Sequence, residues 1–383
     1  MSFTSGGNVD ISEDSSTLLA GANSAANVRI ASSGGIADAT ATTVAVSGAI
    51  ALIAGGDIAL NDSAGDVLTS GGTASFNATN VLVATAGDAS LDGVTFVASG
   101  GVDISLDAAL VLRGTNSAGS VRLASASGIS DATNATLSTS GGLTLVAIDA
   151  VSLADEASNE YAIGGAVGIS GASIAIGSAG TTTFGAVTFQ ATGEATIYED
   201  SNLLLAGASA ASTLGLFATG AITDAAGASV TTSGAASFTA TGDVSITDNP
   251  TDNWSVGGLA SFVGSTLTIA SNGTANFDSL SFSATGAATI YEDSATVLGG
   301  SNSAASLLLS SAGAIADLVG ADLSVGGDAT LTSAGTMDLT DDATNDLVIG
   351  GALYLNGAAL TLASPGQVSL SRLNLQSTGA ANI

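Results

Sequence analysis

The run Ile50-Ala51-Leu52-Ile53, Ile58-Ala59-Leu60, Val67-Leu68-Thr69, Ala74-Ser75-Phe76, Val81-Leu82-Val83 decides the fold. Apolar bursts of three to five residues alternate inward and outward, and Gly55-Gly56-Asp57, Asn61-Asp62 and Gly71-Gly72 punctuate them. Period-2 alternation between Gly, Asn, Asp and Ser turns is the strand signal. The bursts are dense in β-branched residues and the gaps are too glycine-rich for helix. They continue through Ala89-Ser90-Leu91 and Val94-Thr95-Phe96.

Working outward, the pattern returns every 93 residues. Ile36-Ala37-Asp38 recurs as Ile129-Ser130-Asp131, Ile222-Thr223-Asp224 and Ile315-Ala316-Asp317. Gly71-Gly72 recurs as Gly164-Gly165, Gly257-Gly258 and Gly350-Gly351. The tandem units are 8–100, 101–193, 194–286 and 287–379, with 380–383 opening a fifth. A period without slippage marks an architecture in which each unit packs on its neighbours, so 1–383 is expected to be one continuous solenoid. About twelve bursts per repeat, grouped by threes, give the turns 27–48, 49–72, 73–93 and 94–119. Three short strands per turn predict an all-β fold, a parallel β-helix of about four rungs per repeat. At ~4.8 Å per rung, sixteen rungs make a rod of roughly 75–80 Å. A string of immunoglobulin-like sandwiches suits the repeat length but not the short strands or the sub-period.

Composition narrows the function. There are 33 acidic residues against 4 basic ones, all arginine, and the net charge is −29. Nucleic-acid binding needs clustered Lys and Arg, so it is excluded as an expectation. No apolar run approaches ~18 residues, so no membrane insertion is expected of this segment. The chain has no Cys and no His. It therefore lacks thiol nucleophiles and the usual acid–base partner of Ser, and an evenly repeated carboxylate array has no unique active site. The expectation is no enzyme; a polysaccharide-cleaving β-helix ranks as a remote third reading. The amino terminus carries no basic, apolar leader, and the chain enters and leaves in mid-repeat, which reads as a fragment of a longer protein.

Three aspartate positions recur: Asp14, Asp107, Asp200 and Asp293; Asp38, Asp131, Asp224 and Asp317; Asp62, Asp155, Asp248 and Asp341. Spaced about one rung apart, they are expected to stack along one edge, interrupted by Gly87, Gly180, Gly273 and Gly366. The plain expectation is that Asp caps turns by accepting backbone N–H groups. The sharper one is a weak site for Ca²⁺ or a similar hard cation, with no other cofactor. Neither the G-G-x-G-x-D nonapeptide nor an EF-hand loop is present. Tyr198-Glu199-Asp200 and Tyr291-Glu292-Asp293 read as outward tyrosines over turns, and Trp254, aligned with Tyr161, Leu68 and Leu347, reads as core.

Segments such as Gly220-Ala221-Ile222-Thr223-Asp224-Ala225-Ala226-Gly227-Ala228-Ser229-Val230 and Gly242-Asp243-Val244-Ser245-Ile246-Thr247-Asp248 resemble the repeats of giant secreted bacterial proteins, the filamentous-haemagglutinin-like adhesins and related β-strand repeat surface proteins. The resemblance implies a right-handed β-helix, export to the cell surface, and adhesive or scaffolding roles. Their amino-terminal secretion domain has no counterpart here. The leading expectation is a stalk segment of an extracellular fibre or adhesin that associates with further copies end to end or laterally. Contact with host, cell or glycan surfaces is expected through other regions. The competing class is a cation- or glycan-binding module of a sheath or surface layer.

Overall fold

The computed structural model describes residues 1–83, 86–269, 272–339, 342–362 and 366–383. The chain divides into two compact units, Met1–Thr192 and Gly193–Ile383, so the division falls beside the boundary between the second and third repeats. The described regular elements are β-strands, and they pair in parallel, each with the strand about one turn away. Both units are parallel β-solenoids. No helix is long and apolar enough to cross a membrane.

In the first unit, one face is laid down by Asn8–Glu13, Asn27–Ser32 and Ile50–Ala54, then by the later halves of Val67–Ala78 and Asp88–Ala98. The second face stacks Thr17–Leu19, Ile36–Asp38, Ile58–Leu60 and Val81–Val83. The third stacks Ala22–Ala25 and Thr43–Val46, then the early halves of the two long strands. Alternation puts Ile30, Leu52, Phe76 and Phe96 in register and inward, and all four are buried. The second unit repeats the plan. Its inward column Ile197, Leu216, Phe238, Phe262 and Phe282 is buried throughout. Burial of such columns is the main stabilising term, at about 25 cal/mol per Å² of apolar surface.

The rung count is finer than the bursts imply. Counting each long strand as two, the described residues of the first repeat hold thirteen segments, one more than a whole number of three-strand turns. The extra segment carries the chain on by one face. Val81–Val83 is therefore covered by Gly101–Leu106, the first strand of the next repeat, with Val81 opposite Val102. The second unit does the same: Leu267–Ile269 is covered by Ala287–Glu292, with Leu267 opposite Ala288. A repeat is thus four and one third turns, and within each unit the second repeat is rotated by a third of a turn against the first.

The recurring Gly-Gly pair marks the corner inside the long strands. A Cβ at Gly71 would lie 2.4 Å from the Ser47 carbonyl oxygen of the rung below, and one at Gly164 2.9 Å from that of Ser140. At Gly257 and Gly350 the distances to Ser233 and Gly326 oxygens are 2.7 and 2.3 Å. Only hydrogen fits between two stacked backbones there. Gly71→Ala should cost about 1–3 kcal/mol, the range for overpacking, read as a lower thermal midpoint. An unchanged midpoint would show that the corner can open.

Candidate functional site

The three aspartate positions do not share one edge. Asp14, Asp107, Asp200 and Asp293 follow the first strand of their repeat and are exposed. Two of them clamp the rung below: Asp107 Oδ2 accepts the Ala89 N–H at 2.8 Å, and Asp293 Oδ2 accepts that of Ala275 at 2.9 Å. Asp38, Asp131, Asp224 and Asp317 end the second strand of the following turn and are only partly exposed. Asp62, Asp155 and Asp248 sit one rung higher at the same corner and are exposed; Asp341 lies outside the described residues. The one-edge stripe is therefore corrected twice. Within a repeat the first set lies one corner before the second, and the rotation by a third of a turn brings Asp107 over the corner of Asp38 and Asp62, and Asp293 over that of Asp224 and Asp248.

At the second corner each carboxylate bridges rungs. Asp38 Oδ2 accepts the Asn61 N–H at 2.8 Å, Asp131 Oδ2 that of Ala154 at 2.9 Å, and Asp224 Oδ2 that of Thr247 at 2.8 Å. The donors lie in left-handed turns, with φ of 62°, 57° and 59°. The remaining oxygens of Asp38, Asp131 and Asp224 are buried without a hydrogen-bond partner. Burial therefore outweighs the one N–H bond, and neighbouring Asp66 and Asp62 add repulsion, so the Asp38 carboxyl is pushed up to about 6. Asp224 also reaches about 6, by burial first and then by Asp252 and Asp248. Burial raises Asp131 too, against the hydrogen bonds of Ala154 N–H and the Tyr161 hydroxyl.

A fourth position, which the 93-residue aspartate pattern does not include, completes the corner: Asp66, Asn159, Asp252 and Asn345. Each is buried. Asp66 closes its own turn by accepting the Ser63 N–H at 2.9 Å and grips the rung below through the Thr42 N–H at 2.8 Å. Asp252 repeats this with Asn249 and Gly227. Its signal was legible, since an Asp or Asn stands two residues before the core position of Trp254 in every repeat. That core position matters as well. Tyr161 and Trp254 are buried as expected, yet both spend their polar atom here. The Tyr161 hydroxyl donates to Asp131 Oδ2 at 2.8 Å and Trp254 Nε1 to Asp224 Oδ2 at 3.2 Å.

Asp38, Asp62 and Asp66 present oxygens within 4.8 Å of one another, as do Asp224, Asp248 and Asp252. The second and fourth repeats substitute Asn159 and Asn345, which removes a charge. The glycines are lids over this corner: a Cβ at Gly180 would meet the Asn159, Glu156 and Ala154 carbonyl oxygens at 2.8, 2.9 and 3.0 Å. The corner's observed chemistry is thus inter-rung N–H capping by carboxylates.

The raised carboxyls set a pH dependence. A folded pKa above the unfolded value favours the fold while the group is protonated. This contribution is fully present below about pH 4 and is lost as pH rises through 6. Asp38→Asn should therefore stabilise the protein at pH 7.5 by about 1 kcal/mol, after discounting for solvent screening. Its advantage should vanish by about pH 3.5, below the ordinary carboxylate value. Melting curves of both proteins at the two pH values check this, and an equal difference at both would refute it.

No protein-family model, no curated protein and no solved structure matches the chain.

Proposed function

We propose that the chain is a structural segment of a large extracellular or cell-surface fibre, in the manner of a bacterial adhesin stalk. Its work on this reading is mechanical and non-catalytic: it sets a distance and presents a repeated surface. One observation carries the reading. Backbone ladders and inward apolar columns run from rung to rung through each unit, and the 93-residue unit recurs with its corners intact. Such a stack is stiff because each strand is held on two sides by hydrogen bonds. Association of further copies end to end belongs to the same reading. Electron microscopy of the purified protein tests it, with elongated particles or filaments expected. Compact particles, or absence of antibody labelling on intact source cells, would overturn it.

A second reading, weak Ca²⁺ binding at the acidic corners, is favoured by the carboxylate triplets of the first and third repeats and by the oxygen preference of the ion. Millimolar calcium should then raise the melting midpoint, and Asp66→Asn with Asp252→Asn should abolish the rise. No shift in the parent protein rejects it.

A further inference from the structure

The outer surface of the third repeat departs from the repeat rule. In the first two repeats an arginine lies across the outer face of the first-strand column and pairs with an acid one rung below. Arg29 Nη1 meets Asp10 Oδ1 at 2.9 Å, and Arg122 Nη1 meets Asp103 Oδ1 at 2.8 Å. Ninety-three residues after Arg122 the chain has Gly215, and 93 after Asp103 it has Thr196. Two small residues become aromatic at the same time: Ser12 and Ser105 give way to Tyr198, Ala31 and Ala124 to Phe217. The two rings stack, with centroids 4.4 Å apart and planes 9° from parallel. Phe217 leans over the glycine, its Cε2 3.1 Å from where a Gly215 Cβ would stand. The acid has moved by one alternation to exposed Glu194, whose Oε1 accepts the Thr196 hydroxyl at 3.1 Å. What remains is an open groove of about 440 Å³ lined by Tyr198, Phe217, Gly215, Ser237, Leu259 and Glu194.

We propose that this groove receives an arginine side chain from a basic segment of a partner protein. The third repeat has removed its own arginine from the position where the first and second repeats keep one. It has placed there the two groups that hold a guanidinium from outside, an aromatic face and a carboxylate. Charge complementarity selects the same occupant: a chain of net charge −29 attracts basic segments and repels polyanions. Leu259, 38% exposed, supplies an apolar wall for the methylene stem of the entering side chain. The fourth repeat keeps Tyr291 but has Leu308 and Ser310 in place of the glycine and the second ring, so it lacks the notch. The proposal is independent of the stalk reading.

The test uses the full chain and a blocked peptide of four arginines, with affinity measured by calorimetry at 150 mM salt to suppress diffuse attraction. Two variants restore the surface of the first two repeats in different ways. Tyr198→Ser with Phe217→Ala removes the rings, and Gly215→Arg keeps them but fills the groove with the chain's own guanidinium. Each should weaken binding about tenfold. Arg29→Gly, on the same kind of face in the first repeat, should leave it unchanged. Equal affinity in all variants would mean diffuse attraction to an acidic surface and overturns the proposal. Binding of a neutral oligosaccharide, lost in the same two variants while the peptide is indifferent to them, overturns it in favour of a sugar site.

Discussion

Trp254→Ala should be the most damaging single truncation in the second unit, costing about 3–5 kcal/mol. The ring is fully buried and packs at 5.2 Å against Phe238, which in turn stacks on Phe262 at 4.8 Å. Removing it opens a cavity in a column whose neighbours are tied to fixed rungs and cannot collapse inward. It also takes away the Nε1 donor from Asp224, a carboxylate whose other oxygen already has no partner. The second repeat supplies the control, because Tyr161 fills the equivalent position and its hydroxyl reaches Asp131. Trp254→Tyr should therefore cost no more than about 1.5 kcal/mol. Guanidinium unfolding followed by circular dichroism separates the two variants. An alanine variant as stable as the tyrosine one would show that neither the ring's volume nor its N–H is needed.

Asn116→Leu should cost about 3 kcal/mol or more, although it preserves volume. At the repeat junction the later half of Asp88–Ala98 is covered by two short strands, and on that side only Val94 and Val97 find ladder partners, Leu112 and Ser117. The chain bends between them at Gly114, φ 55°. The Phe96 N–H falls in the gap, and Asn116 Oδ1 accepts it at 3.0 Å. The amide Nδ2 donates to the carbonyls of Arg113, Gly114 and Thr136 at 3.0–3.2 Å. Leucine would leave a buried N–H unpaired and cut the carbonyls' partners, at about 1–3 kcal/mol for each unsatisfied group. The amide of Phe96 should then exchange with solvent roughly a hundredfold faster. Unchanged exchange at Phe96 would show that water replaces the asparagine. The same device recurs where Asn302 accepts the Phe282 N–H beside Gly300, φ 62°.

The two junction asparagines show where sequence reading stops. Both stand in short, mostly polar strands, Thr115–Ala118 and Ser301–Ala304, and nothing local says that a strand one turn away has lost its ladder there. Asp66 and Asp252 are hidden for a similar reason. They stand next to the core positions Leu68 and Trp254, while their partners Thr42 and Gly227 lie in the rung below, 24 and 25 residues back. Spacing alone puts Asp14 on the edge of Asp38. The turns in fact differ in length: Asn8 lies opposite Asn27, but Ile50 lies opposite Ala74. A nominal rung of separation in sequence is therefore not one rung in space.

The amino-acid sequence by itself determined the parallel solenoid, its 93-residue unit, its strands and its inward residues, Tyr161 and Trp254 among them. Alternation and turn chemistry are local, and four copies of the same pattern leave little room for another fold. Only the tertiary structure decided the thirteenth strand segment, the third-turn rotation between repeats, and the arrival of Asp66 beside Asp38 and Asp62 at their corner. These depend on which residues of successive turns come to lie over one another. Turn length varies around the coil, so that registry emerges only when the rungs are stacked.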